Sequence, residues 1–342
     1  MINLRSNKTV RVAQADWDDW RWQQRHSITD LQELQRRLTM PVATVAEIEK
    51  VNTRYPFSVS PYYLSLARQP SLTDPILRQC LPAAGELQSF PGESADPFAE
   101  LKKSPVPGLI RRYRDRALLT TNGLCPVLCR HCFRKRGWKY HLTDAAHPAN
   151  LERIITYLNK TPEIREVLVS GGEPLMLEDE ILARLLSRLR RVPSIEVIRI
   201  ATRLPATLPQ RITPELVRMI ATYGPIWIVA HFNHPLELTD AGIQACNQIV
   251  EAGIPMVSQT VLLQSVNDNE AVLRQLFTRL LSMRIKPYYL FHCDPATGTM
   301  HFRVSPERGL NIIRELRATT SGLAIPTYAA DYAGATSKIP LG

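Results

Sequence analysis

Nowhere in this chain do apolar residues run uninterrupted for about eighteen positions, the length a bilayer span requires. The opening MINLRSNKTVRVAQADWDDW has no apolar h-region, so no secretory signal is expected. Cysteine is scarce, 6 of 342 residues, and three of those, Cys80, Cys246 and Cys293, are dispersed as buried core thiols would be. Without a secretory signal, clustered thiols point to metal or redox work rather than to a disulfide framework. The expected location is the cytoplasm, where thiolates stay reduced. Aromatics make up only 7% of the chain, and no RNA-binding motif or interleaved aromatic platform accompanies the net charge of +10. Basic residues concentrate only at 111–116 and 130–139, which fits anionic small ligands better than nucleic acid.

What is present is a run of three cysteines, Cys125-Pro-Val-Leu-Cys129-Arg-His-Cys132, spaced C-x3-C-x2-C with no fourth cysteine close by. Three thiolates can hold three corners of a 4Fe–4S cube and leave one iron open for a small molecule. Structural zinc is the alternative, but it takes four ligands, and His131 chelates poorly beside Cys132. The spacing favours the cluster.

Residues 1–110 read as mostly helical and irregular, with helical apolar spacing at 31–38 and 45–51 broken by Pro-rich stretches. Trp17, Trp20 and Trp22 are expected to dock this region onto the main domain. From about residue 115 strands and helices alternate. Strands are expected at 116–121, 166–170, 197–202, 226–231, 256–262 and 287–292, and helices at 149–158, 179–190, 214–223, 239–252, 270–283 and 306–320. Such alternation implies a parallel sheet, and six units make a partial (β/α)6 barrel rather than a closed eight-stranded one. The strands end in distinctive polar groups: the cysteine loop, Gly171-Gly172-Glu173-Pro174, Arg203, His231 and Asp294, with Gln259 inside the fifth. Active sites of barrels lie at those carboxyl ends.

The cysteine spacing after the first strand, with Gly-Gly-Glu-Pro after the second, resembles the radical S-adenosylmethionine (SAM) superfamily. A closer resemblance, over nearly the whole chain, is to the lysine 2,3-aminomutase family. It rests on Trp17-x-x-Trp20-Arg-Trp22, Ser60-Pro-Tyr-Tyr-Leu-Ser65, Arg112-Tyr113-x-Asp115-Arg116 and Leu208-Pro-Gln-Arg-Ile-Thr213. His231-Phe-Asn-His-Pro235, Gln264-x-Val-Asn-Asp268, His301-Phe-Arg303 and Lys338-Ile-Pro340 continue it.

The resemblance implies a 4Fe–4S cluster on Cys125, Cys129 and Cys132, whose open iron binds SAM and whose electron cleaves it to a 5′-deoxyadenosyl radical. It implies pyridoxal 5′-phosphate (PLP) held as a Schiff base by Lys338, which reads by itself as a solvated charge. Arg112, Tyr113 and Arg116 match the family's PLP segment, and Gly171, Gly172, Glu173, Arg203, His231 and Gln259 are carried as further cofactor contacts. Arg134 matches the substrate-carboxylate arginine, and Asp294 and Asp331 match the pair that holds the distant ammonium of lysine. The expected chain is thus a helical N-terminal region (1–110), a radical SAM partial barrel (111–322) and a C-terminal PLP-lysine segment (323–342). The expected reaction is the conversion of L-lysine to β-lysine, with a flavodoxin or ferredoxin as electron donor and a homo-oligomer as a possible assembly. Alternatives are β-lysine supply for elongation factor P modification, an arginine 2,3-aminomutase, and a non-catalytic metal-binding interaction module. Two positions depart from the family pattern. Asn269 stands where longer members carry a zinc-binding cysteine, and the loop before the lysine reads Tyr332-Ala-Gly-Ala-Thr-Ser337.

Overall fold

The computed structural model describes residues 12–138 and 144–342; most of the opening segment read for a signal, and Lys139 of the basic run, lie outside the described residues. Nine strands form one open sheet in strict sequence order: β1 Leu109–Ile110, β2 Arg116–Thr120, β3 Glu166–Ser170, β4 Val197–Thr202, β5 Ile226–His231, β6 Met256–Leu262, β7 Lys286–His292, β8 Thr327–Ala330 and β9 Ile339–Pro340. Strands β2 to β8 are all parallel, while β1 and β9 pair antiparallel at the two edges. The six expected strands are all there, each followed by its helix. The chain then adds β8, a seventh parallel strand, so residues 323–342 continue the same sheet. The two edges do not pair with each other, and the barrel stays partial.

Alternation along the strands sorts side chains between two environments. Ala117, Leu119, Val167, Val169, Ile198 and Ile200 are buried beneath the helices. Their neighbours Leu118, Leu168, Arg199, Ala201 and Val229 face the lumen instead. The covering helices present apolar residues at i, i+3, i+4 and i+7, for example Leu182, Leu185, Leu186 and Leu189 of Asp179–Arg190. Thr213, Thr239, Asn269 and Ser305 cap the helices that follow them, each accepting an orphan backbone N–H.

Of the three tryptophans expected to dock the N-terminal region onto this barrel, Trp20 does so, whereas Trp17 and Trp22 pack in a second core. Trp20 is buried in the main core, stacked against the guanidinium of Arg211 at 4.7 Å, while Trp17 belongs to the second core with Ile28, Leu34 and Tyr63. Ser60 ties the two parts together by donating to the Thr207 carbonyl at 2.8 Å.

Candidate active site

The loops at the carboxyl ends of the strands, with the lumen side of the sheet, enclose a cavity of about 350 Å³. Every residue carried from the sequence as a cluster, cofactor or substrate contact lines it. Cys125, Cys129 and Cys132 come from the loop after β2. Gly171, Gly172 and Glu173 follow β3, and Arg203 follows β4. His231 and Gln259 are paired in register across β5 and β6. Asp294 follows β7 and Asp331 follows β8. Lys338 lies opposite Asp331 because Ala330 pairs with Ile339 in the terminal hairpin.

The two glycines hold the cysteine loop in place. Gly171 has φ +122°, and a Cβ there would meet the Thr121 backbone nitrogen at 2.6 Å; one on Gly172 would meet the Leu124 carbonyl oxygen at 2.5 Å. The approach that demands glycine is thus to the cluster loop's own backbone. Glu173 turns inward and accepts the backbone N–H of Arg203 at 2.8 Å and of Leu175 at 3.2 Å. Burial pushes its pKa up to about 7 against those hydrogen bonds.

The thiols suit a cluster. All three are free cysteines, and burial raises the Cys125 thiol well above its ordinary value, with Cys129 and Cys132 adding to the rise. Ionisation that the surroundings oppose is what positively charged iron reverses. Among the described residues no three His, Cys, Asp or Glu side chains are grouped to hold one metal ion. Cluster thiolates each take a different iron, so three cysteines suffice for a cube with one open iron. Polar capacity remains beside them: His131 Nδ1 and Arg203 Nε are buried without hydrogen-bond partners, on residues that line the cavity. Burial lowers the pKa of His231 to about 4, with Arg203 adding to the effect, and holds His131 well below its usual value. Both imidazoles are neutral near pH 7 and can accept as well as donate.

The other end of the cavity suits PLP. Lys338 Nζ sits 5.5 to 6.0 Å from the rings of Phe291, Tyr113 and Tyr289. Tyr289 and Phe291, two residues apart on β7, both face the lumen and stack at 4.9 Å. Burial lowers the Lys338 pKa, and Arg112, Arg199 and Arg116 deepen the fall against the opposing pull of Asp331. A lowered pKa enlarges the unprotonated fraction, and the free amine is the form that adds to an aldehyde. Arg112, Arg116 and Arg199 also line the cavity, and guanidiniums suit a phosphate.

Several partners were not visible in the sequence. Arg112 gives both prongs of its fork to Asp331, at 2.8 and 2.9 Å, and Tyr113 OH donates to the same carboxylate at 3.3 Å. Arg134 gives Nε and Nη2 to Glu100, at 3.0 and 2.7 Å. Arg199, also on the cavity wall, is ion-paired with Glu166. Asp294 has its pKa pushed up to about 7, first by burial and then by the charge of Asp331, against the pull of Lys338.

Comparison with known proteins adds the following. Residues 119–276 match the model of the Radical SAM superfamily. The chain is 40% identical to the L-lysine 2,3-aminomutase of Clostridium subterminale, over all of this chain and 82% of that one. It is 36% identical to the L-lysine 2,3-aminomutase of Escherichia coli K12, over 95% of this chain and 94% of that one. It is also 37% identical to a glutamate 2,3-aminomutase of Clostridioides difficile, over 99% of this chain and 81% of that one.

Proposed function

Because the chain belongs to the lysine 2,3-aminomutase family of the radical SAM superfamily, we propose that it moves the α-amino group of L-lysine to the β-carbon, giving β-lysine. The observation that carries the substrate choice is the pair of carboxylates, Asp294 and Asp331, beside Lys338. Burial first, and repulsion from Asp331 second, raise the Asp294 pKa to about 7. A substrate ammonium relieves that repulsion, whereas the side-chain carboxylate of glutamate deepens it. A substrate that leaves such groups unpaired loses on the order of 10⁴-fold.

In this reading Cys125, Cys129 and Cys132 hold the 4Fe–4S cluster, and Gly171, Gly172, Glu173, Arg203, His231 and Gln259 form the SAM side of the cavity. Arg112, Tyr113 and Arg116, with Arg199, face the phosphate of PLP, and Lys338 holds its aldehyde carbon. When bound, these groups supply a radical able to abstract an unactivated β-hydrogen and a π-system able to carry the migrating nitrogen. The protein binds, orients and excludes water. Arg134 meets the substrate carboxylate with Nη1 while Glu100 fixes the rest of its fork. Arg112 uses both prongs on Asp331, so engaging the phosphate releases that carboxylate for the substrate ammonium. The apolar wall of Leu118, Leu168, Val229 and Val261 keeps the lumen dry around the reacting carbons. We place the enzyme in the cytoplasm with a low-potential electron donor such as flavodoxin or ferredoxin.

The test is anaerobic reconstitution followed by a panel of L-lysine, L-arginine and L-glutamate with SAM, PLP and reductant. β-Lysine as the dominant product is expected, together with a borohydride-trapped PLP adduct that Lys338→Ala abolishes. Dominant β-glutamate or β-arginine would overturn the substrate assignment, and an adduct unchanged in Lys338→Ala would overturn the role of that lysine.

A further inference from the structure

Arg203 has more partners than a cofactor contact needs. Its side chain is 8% exposed. Nη1 donates to the Cys129 sulfur at 2.7 Å, while Nη2 reaches Glu237 Oε1 at 2.7 Å, Gln79 Oε1 at 2.6 Å and Tyr63 OH at 3.0 Å. Glu237 is fully buried. Its carboxylate also accepts from Tyr63 OH at 2.7 Å and from the Asn233 backbone N–H at 2.6 Å. A carboxylate, a guanidinium and a sulfur therefore stand in a row inside the protein. The N-terminal region supplies two of the groups that aim the guanidinium, Tyr63 and Gln79, and the loop after β5 supplies Glu237.

We propose that Arg203 raises the reduction potential of the cluster held by Cys125, Cys129 and Cys132, and that Glu237 limits how far it does so. This rests on the reading of those cysteines as cluster ligands. On reduction the cluster takes one electron from a low-potential one-electron donor and becomes more negative by one charge, with no proton taken up. A charged hydrogen bond to a cluster sulfur stabilises the more negative state, and hydrogen bonds to sulfur are among the features that set cluster potentials. The low dielectric of a buried site strengthens the effect. Glu237 carries the opposite charge on the same guanidinium and cancels part of it. Arg203 is thus a positioning residue for electron transfer, and Tyr63 and Gln79 hold its Nη1 on the sulfur.

The full chain, reconstituted anaerobically with iron and sulfide, is assayed for iron per chain and titrated with dithionite without SAM. The reduced cluster is followed by electron paramagnetic resonance. Arg203→Gln should move the midpoint to more negative values, Arg203→Lys should fall between it and the parent, and Glu237→Gln should move it to more positive values. Loosened packing does not produce opposite signs at two ends of one ion pair. Unchanged midpoints, or shifts of one sign in Arg203→Gln and Glu237→Gln, overturn the proposal. Where Arg203→Gln does not load iron, Glu237→Gln decides alone, and a midpoint that stays or falls overturns it. A parent chain that shows no 4Fe–4S signal overturns both the cluster reading and this proposal, and the iron count and spectrum distinguish that result from an unchanged midpoint.

Discussion

At the scale of single residues, Asp294 shows how the cavity separates chemistry from stability. Its pKa is raised to about 7 from an ordinary value of 3.8, by burial first and by Asp331 second. A carboxyl whose folded pKa is raised holds its proton more tightly in the folded than in the unfolded chain. Its contribution to stability is therefore fully present below about pH 4 and is lost as pH rises through about 7. Asp294→Asn should flatten this dependence, stabilising the protein at pH 8 by on the order of 2 kcal/mol after solvent screening, with little change at pH 4. Thermal melts at the two pH values check it; an unchanged difference between them would count against the assignment. If Asp294 binds the substrate ammonium as proposed, the same substitution should abolish lysine turnover, a stabilising change that costs function.

At the scale of elements, the turn after β3 fixes the cluster loop through backbone contacts that tolerate no side chain. Gly172→Ala places a Cβ at 2.5 Å from the Leu124 carbonyl oxygen and 3.0 Å from that of Asn122. The neighbours are backbone and cannot simply rotate away. We expect a loss of about 1–3 kcal/mol, read as a lower melting temperature, and a cluster loop that retains less iron after reconstitution. Full iron retention would show that the turn does not position the cysteines. The terminal hairpin does the equivalent work for the candidate PLP lysine, since pairing of Ala330 with Ile339 brings Asp331 and Lys338 to 3.7 Å. Sequence pattern did not reveal this element: β8 has four residues and β9 two, too short for any period to show, and Pro326 precedes β8. The helices and longer strands were legible because each presents a sustained apolar face.

At the scale of the whole molecule, the open edges of the sheet are joined by side chains instead of strand pairing. Arg112, just beyond β1, reaches Asp331, just beyond β8, across the seam. The N-terminal region supplies partners to the cavity's arginines, Glu100 to Arg134 and Tyr63 and Gln79 to Arg203. Trp20 anchors that region between Arg21 at 4.3 Å and Arg211 at 4.7 Å. Trp20→Ala should cost about 3–5 kcal/mol and lower iron retention as that region loosens. Calorimetry and iron analysis check both effects, and a variant that melts and loads iron like the parent would show that the region docks by other means.

The candidate site was legible in the chain by itself where thiols, paired glycines and strand-end polar residues are informative by type and spacing. Cys125, Cys129 and Cys132, the Gly-Gly turn and Asp294 reach one cavity as their strand-end positions implied, and Lys338 and Asp331, marked only by the family resemblance, line it as well. What only the tertiary structure decided is which charge meets which. Arg112 and Asp331 lie 219 residues apart, and Arg203 finds Cys129 74 residues away. No local periodicity encodes such pairs. They arise because a parallel sheet brings the carboxyl ends of successive strands together, and because charges enclosed there must find partners within a few ångströms.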